Sequence, residues 1–187
     1  WTIGLVEKGQ GERLVDVASL PQGDLIGPDG TVVRTKHVPV PSFEGNAAYA
    51  ASKGLQIHYL HTDDRDGQDA EFVEEGLLAS VPETYQEQLQ STFSGLDFWN
   101  IRLSGIDAPY STRLTFEDVD LLGTGSEASV GLRLDHLDNA VSFTVRDVTI
   151  EGFETGLAAP RQGEAVIDGA EIEIGRASCR ERVFPVV

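Results

Sequence analysis

One short pattern occurs four times between residues 93 and 172. In each repeat, a small or turn-forming anchor residue is followed by an apolar, a variable and an apolar residue. The anchors are 23, 29 and 22 residues apart, and an apolar residue stands two positions before each of them. The anchors are Gly95, Asp118, Asp147 and Gly169, and the preceding apolar residues are Phe93, Phe116, Val145 and Ile167. A period of this length predicts similar units that stack on one another.

The repeats have the pattern of β-strands. Apolar residues alternate with others, and Gly, Asn or Asp interrupts the alternation every few residues, which excludes long helices. Asn100, Gly123 and Gly152 follow the first three anchors by five residues and are expected at corners, because Asn and Gly tolerate a left-handed backbone. Parallel strands about 4.8 Å apart would then align equivalent residues in ladders. The expected inward ladders are Phe93, Phe116, Val145, Ile167 and Phe98, Leu121, Ile150, Ile172.

A second feature recurs further along each repeat, where a glycine precedes an apolar residue. It is found at Gly105, Gly131 and Gly156, and two of these steps continue into Ala-Pro at 108–109 and 159–160. An earlier copy stands at Gly54, in the stretch FEGNAAYAASKGLQI.

These repeats resemble the right-handed parallel β-helix repeat of the pectate-lyase-like superfamily, over about residues 41–173. The resemblance implies an all-β fold, a single-stranded right-handed parallel β-helix or solenoid. Two other folds were considered. A leucine-rich repeat lacks its Leu and Asn frame here, and a β-sandwich would not keep this register. The stretch FEGNAAYAASKGLQI also resembles one turn of the β-helical segment of cell-surface hyaluronidases, which favours hydrolysis.

We divide the chain into three parts. Residues 1–40 form an irregular N-terminal segment or preceding turns of the solenoid, residues 41–173 form the repeats with one long insertion at 61–90, and residues 174–187 form a non-native tail. The tail is assigned because residues 174–183, IGRASCRERV, resemble a translated sequencing adapter. The alternative is a basic terminal peptide with a free thiol at Cys179, the only cysteine. Because the chain starts at Trp1 and has no Met, we expect a truncated fragment without its signal peptide.

Charge and hydrophobicity limit the partners. The chain has 31 acidic and 14 basic residues and a formal charge of −17, which disfavours nucleic acid and anionic lipid. A polyanionic substrate would need a local basic patch or bridging cations. No apolar run approaches the roughly 18 residues of a membrane span, so no membrane insertion is expected. We expect an extracellular or cell-surface protein that is monomeric within a longer chain.

Outward carboxylates provide the candidate catalytic residues. Asp97 and Asp120 each follow an anchor by two residues, and stacked carboxylates about 5 Å apart can share a proton or a cation. Enzymes of the resembled superfamily, which include lyases, hydrolases and epimerases of uronate-containing polysaccharides, commonly use such groups. Substrate binding is assigned to Trp99, Arg146 and Glu171. The alternatives are a solvated acidic face, a Trp99 that fills a corner, and an Arg146 that pairs with its neighbours.

A candidate metal site lies in the stretch HYLHTDDRDGQD. Calcium suits its aspartates and a transition metal suits its histidines, and Ca²⁺ is the expected cofactor. The alternative is a flexible acidic loop at the lip of the solenoid. The candidate ligands are His58, His61, Asp64, Asp66 and Asp69.

Two functions remain open on the sequence. The first is an extracellular carbohydrate-active protein that binds a polysaccharide along its turns and cleaves or epimerises it. The second is a non-catalytic cell-surface or adhesion module. Only the enzyme requires Asp97, Asp120 and the loop containing His61 to meet in one groove.

Overall fold

The structure is a computed structural model, and it describes part of the chain. The described residues are 2–4, 14–20, 23–25, 28, 30, 32–34, 40, 42–58, 60, 90–109, 111, 113–126, 129–135, 139–160 and 162–174. Within them are fourteen strands and two 3₁₀ helices, Val17–Ser19 and Gly23–Leu25. The strands are β1 Thr2–Gly4, β2 Leu14–Asp16, β3 Val32–Arg34, β4 Phe43–Glu44, β5 Ala47–Tyr49, β6 Lys53–His58, β7 Ser91–Ile101, β8 Ser104–Asp107, β9 Leu114–Gly123, β10 Val130–Arg133, β11 Asn139–Phe153, β12 Thr155–Ala158, β13 Gln162–Asp168 and β14 Glu171–Ile174.

Two parallel sheets make up most of the described fold. The first sheet has the order β1-β6-β8-β10-β12, and the second has the order β13-β11-β9-β7-β4, with β5 also on β7 and β14 also on β11. From β7 to β13 the chain alternates between the two sheets, so within this range strands two places apart in sequence are paired. The predicted all-β architecture with parallel strands is confirmed. A separate antiparallel pair, β2 with β3, lies outside these sheets.

The predicted ladders are confirmed by the pairing of the second sheet. Phe93 is the register partner of Phe116, and Phe98 is the partner of Leu121. The next strands continue both ladders with Val145 and Ile150 and then Ile167 and Ile172. All of these side chains are buried except those of the last strands, where Ile167 is 38% and Ile172 is 40% exposed. The first three members of each ladder therefore belong to the hydrophobic core, whereas the last members do not.

A left-handed residue bends each long strand of the second sheet at its anchor. The residues with positive φ at equivalent positions are Gly45, Gly95, Asp118, Asp147 and Gly169, with φ between 50° and 65°. Such a residue shifts the alternation of the strand, so Phe93 and Leu96 both face the core although they are three positions apart.

The predicted corners are confirmed at two of three positions. Asn100 has φ 59° and Gly152 has φ 71°, whereas Gly123 is not among the positive-φ residues. The expectation for Gly123 was wrong, because the ladder shifts register after Trp99 and Gly123 pairs with Ile101 instead of occupying the position equivalent to Asn100. The left-handed residue comes later in this repeat, at Gly125 with φ 77°.

The recurring glycines of the first sheet face the core ladder of the second. A Cβ atom on Gly54 would lie 2.4 Å from Phe98 Cδ2, and one on Gly131 would lie 2.2 Å from Ile150 Cγ2. Gly105 and Gly156 face Leu121 and Ile172 in the same way. Bulky side chains on one sheet thus require glycine on the other, which explains the repeated glycine-apolar step.

The structure describes only some residues of the three parts into which we divided the chain. From the N-terminal segment, β1 pairs with β6 in the first sheet. Ile174, assigned to the tail, ends β14 in register with Phe153. Residues 61–89 and 175–187 lie outside the described residues. In the part that the structure describes, there is no helix with the length and hydrophobicity needed to cross a bilayer.

Candidate functional site

Two rows of outward side chains run across the second sheet. The acidic row contains the register partners Ala47, Asp97, Asp120, Thr149 and Glu171. The aromatic row lies two residues further along each strand and contains Tyr49, Trp99, Leu122, Glu151 and Glu173. Both rows follow the left-handed anchors, so the bends determine which residues face outward.

The acidic row brings the proposed catalytic pair together. Asp97 and Asp120 are register partners on β7 and β9, and both are exposed. Paired parallel strands place equivalent backbone positions about 4.8 Å apart. Glu171 is also exposed, but Thr149 separates it from Asp120. The structure therefore unites the two aspartates and leaves Glu171 two strands away.

The aromatic row presents an apolar surface beside these carboxylates. Tyr49 is 63%, Trp99 37% and Leu122 47% exposed. The rings of Tyr49 and Trp99 have centroids 5.4 Å apart and planes inclined at 37°. Trp99 is thus partly exposed and packs against Tyr49 of the neighbouring strand, so both its assignment to substrate binding and the alternative of a residue that fills a corner stay open. Tyr49 was not assigned to the site, although Gly45 precedes it by the same four residues that separate Gly95 from Trp99.

Arg146 lies on the other side of the bend from the acidic row. Its Nη1 is 3.3 Å from Oε1 of Glu117, its register partner on β9. Both side chains are exposed, at 45% and 41%. Arg146 thus pairs with a neighbouring carboxylate, which is the alternative to substrate binding considered from the sequence.

The proposed metal ligands are mostly outside the described residues. His61, Asp64, Asp66 and Asp69 all lie there. His58 ends β6 in the first sheet, in register with Gly4, so it is not on the sheet that carries Asp97. Among the described residues, no group of three or more His, Cys, Asp or Glu side chains is arranged to hold a metal ion.

The described residues that flank the insertion are attached near the start of the long strands. The amide of Leu60 donates to Ser111 Oγ at 3.1 Å, and Thr115 Oγ1 donates to Gln90 Oε1 at 2.9 Å. Gln90 precedes β7, whereas Asp97 lies seven residues later, beyond the bend at Gly95. Leu60 and Gln90, which we call the bases of the insertion, are therefore separated from the aspartate pair by about half a strand.

The charge of the two rows limits what they can bind. Their acidic side chains are five exposed carboxylates, Asp97, Asp120, Glu151, Glu171 and Glu173. No Lys or Arg belongs to either row. Such a surface can accept hydrogen bonds from hydroxyl groups and attract cations, and it repels polyanions.

Comparison of the chain with family models, curated proteins and solved structures finds no match. The interpretation of the site therefore rests on its geometry.

Proposed function

We propose that the two sheets are faces of a right-handed parallel β-helix of the pectate-lyase-like kind. The pairing of repeat-equivalent residues on strands two places apart in sequence supports this fold, as do the equivalent bends at the anchors. In a β-helix each turn of chain contributes one strand to each sheet, which is the alternation seen from β7 to β13.

We further propose that the outer face of the second sheet binds a polysaccharide, in an extracellular or cell-surface setting. The observation that carries this proposal is the pair of adjacent, mutually tilted rings of Tyr49 and Trp99 in the row beside the aligned Asp97 and Asp120. Aromatic faces attract the C–H faces of sugar rings by dispersion, and carboxylates accept hydrogen bonds from sugar hydroxyls. The strand spacing of about 4.8 Å is close to the length of one pyranose unit, so successive strands can contact successive sugars.

The charge of the site favours a neutral polysaccharide. A polyuronate would approach five exposed carboxylates in a chain of net charge −17. Its binding would require bridging cations such as Ca²⁺, for which the aspartates of residues 64–69 are the proposed ligands. A neutral glycan has no such requirement.

Cleavage is the catalytic form of this proposal, and Asp97 and Asp120 are the residues that would perform it. One carboxyl group would protonate the leaving oxygen while the other acts as nucleophile or base. Retaining glycosidases use carboxyl groups about 5–5.5 Å apart, a separation compatible with side chains on adjacent parallel strands. Epimerisation would instead use the pair to remove the C5 proton and return it from the other face, and it would require a uronate, whose carboxyl group acidifies that proton.

A non-catalytic binding module is the second candidate, and one observation favours it. Both aspartates are exposed, and the bases of the insertion lie on the other side of the Gly95 bend. A surface that only holds a glycan needs the aromatic pair and accessible hydrogen-bond acceptors, and it needs no enclosed groove.

Binding is tested by titrating neutral polysaccharides and polyuronates, with and without Ca²⁺, into the wild-type protein and a Trp99→Ala variant. We expect neutral glycan to bind and Trp99→Ala to weaken binding by about tenfold, because a stacking surface is lost. Leu103→Ala is the matched control, since Leu103 is 47% exposed and lies outside both rows. Equal binding by Trp99→Ala and wild type would refute the site.

Catalysis is tested separately by release of reducing ends and of unsaturated products from the glycans that bind. Asp97→Asn and Asp120→Asn should each abolish turnover while binding is retained. Asp118→Asn is the control, because Asp118 is exposed and Asn tolerates its left-handed backbone. Binding without any turnover in the wild type would establish the non-catalytic module. Turnover that survives in both row variants would exclude the aspartate pair.

A further inference from the structure

The outer side of the first sheet has an open recess that the proposed glycan surface does not use. Its volume is about 560 Å³, and it lies over β10 and β12. The recess is lined by Val130, Arg133, Asp135, Thr155 and Ala158. Since the aromatic and acidic rows belong to the second sheet, this recess is a separate surface.

Arg133 differs from the other lysine and arginine residues whose side chains the structure describes. Lys53 pairs with Asp107 at 2.6 Å, Arg146 pairs with Glu117 at 3.3 Å, and Arg102 Nη2 donates to Ser52 Oγ at 3.0 Å. Arg113 also has a partner. Arg133 is partly buried and makes no side-chain hydrogen bond or ion pair with any described residue. A guanidinium group in this position has five donors available to a ligand.

The neighbouring strand β8 adds two observations. Asp107 is the register partner of Arg133, and Lys53 already neutralises one of its oxygens. Ser104 is the register partner of Val130, is 2% exposed, and its hydroxyl has no hydrogen-bond partner. Because register partners face the same side of a parallel sheet, this buried hydroxyl points to the same side as the Val130 wall of the recess. A buried polar atom without a protein partner is uncommon, although Ser104 itself does not line the recess.

We propose that the Arg133 recess binds a small hydroxylated anion that carries a carboxylate or a sulfate. The oxyanion accepts charge-assisted hydrogen bonds from the guanidinium group of Arg133. Hydroxyl groups of the ligand donate to Asp135 and exchange hydrogen bonds with Thr155. Val130 and Ala158 supply an apolar contact for the carbon skeleton.

The net charge of −17 opposes any anion at long range, so binding depends on contacts within the recess. Removing the guanidinium group should therefore have a large and local effect. Arg102→Gln is the matched control, because it makes the same change of charge at an exposed arginine outside the recess.

The proposal is tested by calorimetric titration of D-glucuronate into the wild type and both variants, with glucose and inorganic sulfate as competitors. We expect glucuronate to bind the wild type and Arg102→Gln, and to bind Arg133→Gln at least roughly tenfold more weakly. Sulfate should compete and glucose should not. Thermal unfolding of both variants verifies that they fold.

Three results would overturn the proposal: no binding of glucuronate to the wild type, equal loss in both arginine variants, or competition by glucose but not by sulfate. Trp99→Ala should bind glucuronate normally, so failure of this site and failure of the glycan surface are distinguishable.

Discussion

Replacing Gly131 with alanine tests how the two sheets face each other. A Cβ atom at this position would lie 2.2 Å from Ile150 Cγ2 and 2.7 Å from the carbonyl oxygen of Gly156. Both distances are far below van der Waals contact. Gly131 is buried on β10, so the added methyl group has no solvent-facing direction in which to move.

The expected cost follows from the crowding. Small-to-large changes in a packed core destabilise by about 1–3 kcal/mol. For a chain of this size, about 1 kcal/mol lowers Tm by about 2–4 °C, which gives a decrease of about 2–12 °C for Gly131→Ala. We expect the upper part of this range, because one of the two clashing atoms belongs to the backbone.

A double-mutant cycle with Ile150→Ala identifies the contact, because alanine lacks the Cγ2 atom. Ile150→Ala alone should cost about 2–5 kcal/mol through the cavity that it leaves. The double variant should be more stable than the sum of the two effects by about 1 kcal/mol or more, measured by urea unfolding. Additive effects would refute the facing of Gly131 and Ile150, and with it the proposed reason for the repeated glycine.

Two further predictions concern the second sheet. Gly152→Val should destabilise the protein by more than about 2 kcal/mol in thermal unfolding, because φ is 71° and the Cβ atom would lie 2.7 Å from the Gly123 carbonyl oxygen. Gly152→Asn should cost less in the same assay, because Asn tolerates a left-handed backbone. Equal costs for the two variants would contradict the left-handed assignment. Glu117→Gln should cost less than about 1 kcal/mol, since its ion pair with Arg146 is exposed, and the difference from wild type should disappear in roughly 1 M salt. A cost that is unchanged by salt would show that the pair does not act through its charge.

The core ladders could be predicted from the sequence because their signal is local and repeated. Each anchor is followed by an apolar, variable, apolar triplet, so counting from Gly95 and Asp118 is enough to pair Phe98 with Leu121. The outward direction of Asp97 and Trp99 follows from the same alternation.

Other features depend on contacts between distant parts of the chain. The glycines of the first sheet were recognised as a repeat, but their cause is the side chain opposite, such as Phe98 against Gly54. The sequence could not show that the left-handed residue of this repeat is Gly125 and not Gly123. Gly123 follows its anchor by the expected five residues, and the irregularity of the ladder that moves the turn to Gly125 leaves no mark in that spacing.

The aromatic pair was missed for a simpler reason. The earlier copy of the repeat in FEGNAAYAASKGLQI was recognised, but its Tyr49 was not placed in register with Trp99. Placing Gly45 on Gly95 aligns Tyr49 with Trp99, which is the observed register. Arg146 was assigned to substrate binding, with pairing to its neighbours as the alternative, and its ion pair with Glu117 follows that alternative, since both residues precede their anchors by one position.

The central claim is that equivalent residues of successive repeats lie in direct contact. Leu96, Val119 and Val148 test it most directly, because each is 1% exposed and they form consecutive register pairs. In a methyl-labelled sample, nuclear Overhauser effects should connect Leu96 with Val119 and Val119 with Val148. The effect between Leu96 and Val148 should be much weaker, because these residues lie two strand spacings, or about 9.6 Å, apart. Absence of the two neighbour effects, or contacts of Val119 with residues at other repeat positions instead, would contradict the account.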